Sequence, residues 1–328
     1  MRFIYVSICL FFLCLNLFAQ SEVTAIEQGI KLYQNADYVG AINILQKVVK
    51  KSNDSKAWYF LGASYLKKGD LKNSQKSFDK AIKLDPQNAQ AYVGLAYVHL
   101  KKNENKESEI QIRKAIDLNK QIAEAHYILG VLQYRDGLFK NAYESANKAI
   151  NINSNFANAY LLKSEALAQS FGILQGVVSK LPNENSELLK DAVLNLETFL
   201  KVIPQNIEAQ EQRERLEGLK YFAEYYTETN KRNSTNDSQN ETPLKVISQL
   251  RPDYTERARQ AFEQGLIRVL VLFANDGKVK YCLVLNRLNY GLTEEAIKAA
   301  YKIKFVPATK NGQPISVVKT VEFRFSIY

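Results

Sequence analysis

The chain has 328 residues, 46% of them apolar, which excludes wholesale disorder and leaves room for more than one buried core. Its formal charge of +10 is uneven: residues 21–242 carry 29 Lys and Arg against 27 Asp and Glu, whereas residues 243–328 carry 14 against 7. The body of the chain is therefore no basic nucleic-acid surface, and the excess marks a small C-terminal domain suited to acidic partners or anionic surfaces.

Residues 1–20, MRFIYVSICLFFLCLNLFAQ, place Arg2 before an apolar run from Phe3 to Leu15 and a small residue, Ala19, before a polar sequence. That order predicts a secretory signal peptide cleaved near Ala19. An uncleaved anchor in the inner membrane is the alternative. With cleavage the protein is periplasmic or secreted, and Cys9 and Cys14 leave with the signal, since neither follows a small residue. Cys282 then remains alone in an apolar run, which predicts a buried hydrophobe rather than a reactive thiol and excludes an internal disulfide.

From residue 21 to 226 the pattern is helical and repeats. Trp58, Tyr92, His126 and Tyr160 fall 34 residues apart, as do Leu61, Leu95 and Leu129. Ser74, Ser108 and Ala142 keep the same step, as do Ala81, Ala115 and Ala149. A large residue fills the gap between paired helices, while small ones let their backbones approach. Neither helix of a unit buries its face alone, so units must stack. The unit at 55–88, closing on Asp85-Pro86, resembles the tetratricopeptide repeat at nearly every position. A weaker unit at 22–54 is held in register by Gly29, Asp37, Tyr38 and Ala41, and further units follow at 89–122 and 123–156. A fifth begins at Ala157 and resumes at Ala192, with about 16 extra residues around 170–187 predicted to form an inter-helix loop. The charged helix that follows is expected to be the polar cap of the stack.

His99 and His126, the chain's two histidines, occupy packing positions of the repeat. A zinc site or a Ser-His-Asp triad has no raw material here, and a noncatalytic protein without cofactor or metal is expected. Resemblance to the tetratricopeptide family implies that the first helix of each pair lines a concave groove, placing Tyr59, Tyr97, Tyr127 and Tyr134 there. Lys67, Lys101 and Arg135 recur at one repeat position and form a candidate basic ladder. Aromatics beside spaced cations suit an extended, partly acidic peptide, although Lys at this position also serves simply as a solvated face. Ala63, Tyr97 and Val131 stand where some family members carry a carboxylate clamp of asparagines.

Residues 227–242, TETNKRNSTNDSQNET, contain no apolar residue and predict a flexible tether. Beyond it, Pro252 opens a short helix ended by Gly265. Two β-rich runs flank Asn275-Asp276-Gly277, a hairpin signal. Thr293 is a candidate helix cap, with Glu294 and Glu295 in the first turn. The last run puts Val317, Val321, Phe323, Phe325 and Ile327 on one face, opposite Thr320, Glu322, Arg324 and Ser326.

The order Pro252-X-Tyr254, Gly265, Asp276-Gly277-Lys278, Gly291-Leu292, Lys304-Phe305-X-Pro307-Ala308 and Asn311-Gly312-X-Pro314 resembles the C-terminal domain of TonB over about 85 residues. The predicted fold is thus mainly α, a tetratricopeptide solenoid followed by a small α+β domain at 243–328. The resemblance implies capture of a short extended segment of outer-membrane transporters by strand addition. Val318, Thr320, Glu322 and Arg324 on the terminal run are the candidate contacts; a sheet edge covered by the solenoid or by a second copy is the alternative. Thr255 replaces the family's usual proline, and residues 1–20 lack the intramembrane histidine that TonB uses to couple to its motor. The expected role is therefore a scaffold binding proteins or peptides of the bacterial envelope, with contact to the membrane only through partners or an uncleaved N-terminus. A diverged energy transducer for outer-membrane transport is the alternative.

Overall fold

The computed structural model describes residues 24–177, 184–203, 207–232 and 241–327. The proposed signal peptide lies outside the described residues. The chain divides into two compact units, one up to Arg135 together with Asn151–Asn153, the other Asp136–Ile150 together with Ser154–Tyr328.

The first unit is built of helix pairs. Helix α1 covers residues 24–34, and α2 is Tyr38–Val48, α3 Ser55–Lys67, α4 Leu71–Leu84, α5 Ala89–Lys101, α6 Asn105–Leu118 and α7 Ala123–Arg135. Their starts are written in the sequence. Asp37, Asp54, Asp70 and Asn88 each accept a hydrogen bond from the backbone N–H three residues on, at 2.7–3.1 Å, satisfying donors that a helix N-terminus leaves open. The small residues of the repeat act as expected. Ser74 Oγ donates to Gly62 O at 2.9 Å and Ser108 Oγ to Ala96 O at 2.8 Å, so each pair is stitched at the same place one repeat apart. Both histidines are structural: His99 Nδ1 meets Glu104 Oε2 at 2.6 Å and His126 Nε2 meets Lys120 O at 2.9 Å.

The second unit joins helices α8 (Phe139–Ile152), α9 (Ala157–Val177), α10 (Glu184–Val202) and α11 (Ile207–Arg232) to the C-terminal strands. Two expectations are corrected here. The extra residues around 170–187 largely lengthen α9 and α10 instead of forming a loop, leaving only 178–183 outside the described residues. Phe171, buried in this unit's core, explains the continuation, because stopping the helix at the usual length would strand it. The tether is also shorter than predicted: α11 runs through Arg232, and Glu241–Thr242 pair with Thr309 and Lys310 as a strand. Residues 233–240 lie outside the described residues.

The strands are β1 (Glu241–Thr242), β2 (Lys245–Ser248), β3 (Gly265–Phe273), β4 (Val279–Val284), β5 (Lys304–Val306), β6 (Ala308–Lys310), β7 (Gln313–Ile315) and β8 (Val317–Phe325). They form three antiparallel groups in the orders β1-β6-β7, β2-β5 and β4-β3-β8. Gly277 turns the β3–β4 hairpin at φ 80°, and Asn311 and Gly312, at φ 53° and 79°, turn β6 into β7. Consecutive left-handed residues give the turn that matches strand twist. Helix α12 is only Glu256–Gln260, and α13 is Leu292–Tyr301. Gly291, not Thr293, is the cap residue of α13. Thr293 is the second residue of the helix and is buried, and its hydroxyl accepts from Leu288 N–H and donates to Leu288 O.

Strand β3 is buried on both faces. Ile267, Val269, Val271 and Phe273 pack with α13, Phe305, Phe323 and Phe325. Leu270 and Leu272, with Leu283 and Leu285, share a second core with Leu167 and Phe171 of α9 and Leu219 and Phe222 of α11. Helix α11 is therefore not a solvated cap: its apolar stripe seats the sheet. Gly172 makes the approach possible, since a Cβ there would lie 2.4 Å from Leu285 O.

Candidate functional site

In the first unit, Tyr59, Lys67, Tyr97 and Lys101 come together around one cleft of about 730 Å³. Phe78 forms its floor. Gly62 and Gly94 let that ring lie close: a Cβ on Gly94 would fall 2.4 Å from Phe78 Cζ. The Tyr59 and Phe78 rings stand 5.9 Å apart, and Lys101 Nζ lies 5.3 Å from the Tyr97 ring centre, a cation–π contact that holds the charge at the cleft. Burial pushes the Tyr59 hydroxyl up to about 12, helped by nearby Tyr33 and Glu124, so it is a neutral donor at pH 7. Glu124 also lines the cleft, leaving two lysines against one carboxylate.

Tyr127, Tyr134 and Arg135 are not among the residues lining it. Tyr127, on α7, is half-buried against the core shared by α5, α6 and α7. Arg135 is not a third rung, because its guanidinium donates to Asn105 Oδ1 at 3.0 Å and Leu100 O at 3.4 Å. The carbonyl-rich end of α5 draws the cation away from the groove.

In the second unit the geometry distinguishes the two edges of the β4-β3-β8 sheet. Leu285 N–H donates to Arg268 O, and Arg268 N–H donates to Asn286 Oδ1, so the Arg268 main chain points toward β4. Its register partner Glu322 therefore turns its own main-chain groups away from β3. By the two-residue period, Val318, Thr320 and Arg324 do the same. The four predicted contacts thus share the outer edge of β8. Gln249 Nε2 reaches Glu322 O at 3.4 Å, a long bond, and residues 249–254 leave a cleft of about 790 Å³ beside Glu322–Ser326. Thr255, in the place of a proline, has two tasks: it caps α12 through Ala258 N–H and donates to Tyr290 O at 2.6 Å.

The β4 edge is closed by side chains. Gln169 Nε2 donates to Val284 O at 3.0 Å, and the Tyr301 side chain lies beside Cys282. Such blocking is how sheets avoid unwanted pairing. Gln169 was missed by sequence reasoning. The near-continuous apolar run of β3 was the available signal, since a strand covered on one face alternates.

Among the described residues no group of His, Cys, Asp and Glu is placed to hold a metal ion, and no helix is long and apolar enough to cross a membrane.

Residues 251–327 match the family described as Gram-negative bacterial TonB protein C-terminal. Tetratricopeptide repeat families match residues 55–88, 77–110 and 95–158. No curated protein matches the chain. Among solved structures, PilF of Pseudomonas aeruginosa is 16% identical, with 66% of this chain and 94% of that chain covered and a TM-score of 0.50. A MamA protein is 26% identical over 58% of this chain and 99% of its own, with a TM-score of 0.44. A thermophilic TPR protein of Thermus thermophilus, TTC0263, is 16% identical over 60% of this chain and 98% of its own, with a TM-score of 0.46.

Proposed function

For a chain that carries tetratricopeptide repeats over residues 55–158 and a TonB C-terminal domain over residues 251–327, we propose a noncatalytic, two-site interaction scaffold of the bacterial cell envelope. The repeat cleft holds one partner, and the outer edge of β8 takes up an extended segment, such as a periplasmic end of an outer-membrane transporter, as an added strand. The unequal treatment of the two sheet edges carries this reading. Val284 O on β4 is occupied from within the unit, whereas on β8 the one bond among the described residues, the long one from Gln249, must yield. Main-chain pairing would supply affinity and alternate side chains selectivity.

In the cleft, neutral Tyr59 and the lysines Lys67 and Lys101 favour an extended peptide with acidic residues. Envelope localisation rests on the apolar pattern of residues 1–20 and on the family of the C-terminal domain.

The test is an NMR titration of the full chain with extended peptides copied from the periplasmic ends of outer-membrane transporters. Amides of Val318, Thr320, Glu322 and Arg324 should shift more than those of Val317, Lys319, Val321 and Phe323. Uniform or absent shifts would refute strand addition at β8.

A further inference from the structure

A third cleft, of about 740 Å³, lies within the second unit between α11, β4 and α13, and neither binding surface described above uses it. Gln169, only 2% exposed, directs its amide N–H to Val284 O and leaves its carbonyl oxygen Oε1 buried, with no hydrogen-bond partner among the described residues. On α11, Gln212 Oε1 is likewise buried without a partner, and both residues line this cleft. Native interiors leave few acceptors in this condition, because each has given up its water for nothing. Two in one cleft point to a missing donor.

The surrounding charge specifies that donor. Five carboxylates line the cleft, Glu165, Glu211, Glu214, Glu217 and Glu294, against three cations. Arg215 meets Glu165 at 2.7 Å, Lys280 meets Asp276 at 3.5 Å and Glu217 meets Lys220 at 3.6 Å, which leaves Glu211, Glu214 and Glu294 against Arg287. Tyr281 and Phe222 supply aromatic wall.

We propose that this cleft binds a guanidinium group, carried by an arginine of a peptide partner or by a small arginine-like molecule. A guanidinium presents five donors in a plane, which lets it serve acceptors on two helices at once. It is weakly hydrated and stacks on aromatic rings. An ammonium brings three donors from one point and a tighter hydration shell, and an anion would face the carboxylates.

Titrating the ¹⁵N-labelled full chain with L-argininamide, with Gly-Arg-Gly amide and with the neutral isostere citrullinamide tests this. The expected result is a shift of the Gln169 and Gln212 side-chain amide signals with the arginine probes and none with citrullinamide. Response to both arginine probes identifies the group itself as the ligand, and response to the peptide alone identifies a peptide partner. Gln212→Met should weaken binding about tenfold or more, while Gln212→Glu, which keeps the shape and adds charge, should tighten it. Signals unmoved at saturation, equal response to citrullinamide, or unchanged affinity in both variants would overturn the proposal.

Discussion

Gly172→Ala sets two effects of one methyl group against each other. In an isolated helix the change is favourable by about 1 kcal/mol, because alanine has less backbone freedom to lose. In the folded second unit, however, the new Cβ would lie 2.4 Å from Leu285 O and 2.6 Å from Leu285 Cα, where ordinary contact begins near 3.4 Å. Backbone does not yield as a side chain does, so the sheet must retreat by roughly 1 Å, and overpacking of this kind costs about 1–3 kcal/mol. Retreat also loosens the contacts of Leu270, Leu272 and Leu283 with α9 and α11. The steric term, with the loosened contacts added to it, therefore outweighs the helical one, and the second unit should lose up to about 2 kcal/mol. Urea unfolding followed by circular dichroism gives the sum, and exchange of the Gln169 side-chain amide protons reports the docking itself. A variant more stable by about 1 kcal/mol, with the Gln169 protons as protected as before, would refute the argument.

Thr320→Pro removes an outward N–H of β8 without breaking the ladder to β3, so the fold should persist while binding of an added strand is lost; Val321→Pro, which breaks the ladder, should unfold the domain. Circular dichroism with the peptide titration separates the two, and a Thr320→Pro protein that binds normally would sink the edge assignment. Ser108→Ala deletes the bond to Ala96 O and should cost about 1 kcal/mol in urea unfolding of the first unit. Burial pushes the Cys282 thiol up to about 12 from an ordinary 9.0. Cys282 should therefore react slowly with a thiol reagent at pH 8 in the folded chain and rapidly in urea. Because the unfolded thiol ionises first, its contribution is fully present below pH 9 and is lost as pH rises toward 12, a trend Tyr59 and Tyr301, each pushed up to about 12, should reinforce. Urea midpoints measured from pH 8 to 11 should fall.

The repeat was legible because packing imposes it position by position: Ser74 and Ser108 must be small, and their spacing shows it. The tail was legible through its turns, since Asn311-Gly312 and Gly277 answer to backbone angles that few residues adopt. Where helices stop was harder to read. An insertion can be counted against a repeat, but whether it loops or prolongs two helices depends on Phe171 finding cover, which is a tertiary fact. Arg135 shows the same limit, because its repeat position is that of Lys67 and Lys101 while its reach allows a helix end to capture it. Half of the candidate edge depended on partners distant in sequence. Nothing local announces that Gln169 closes β4 while β8 is left to Gln249.

That closure has a consequence for how the chain is made. Gln169 and Val284 are separated by 115 positions, whereas the pairs of the first unit bond across about a dozen, as Ser74 does to Gly62. Contacts of short sequence separation form early, and those of long separation wait for loop closure. During synthesis the first unit is therefore complete while α9 and α11, joined only by α10, still lack the cover that Leu270, Leu272, Leu283 and Leu285 give Leu167, Phe171, Leu219 and Phe222. Until Leu285 arrives this surface is an aggregation hazard, and the nascent chain is the stage at which the protein most needs a chaperone.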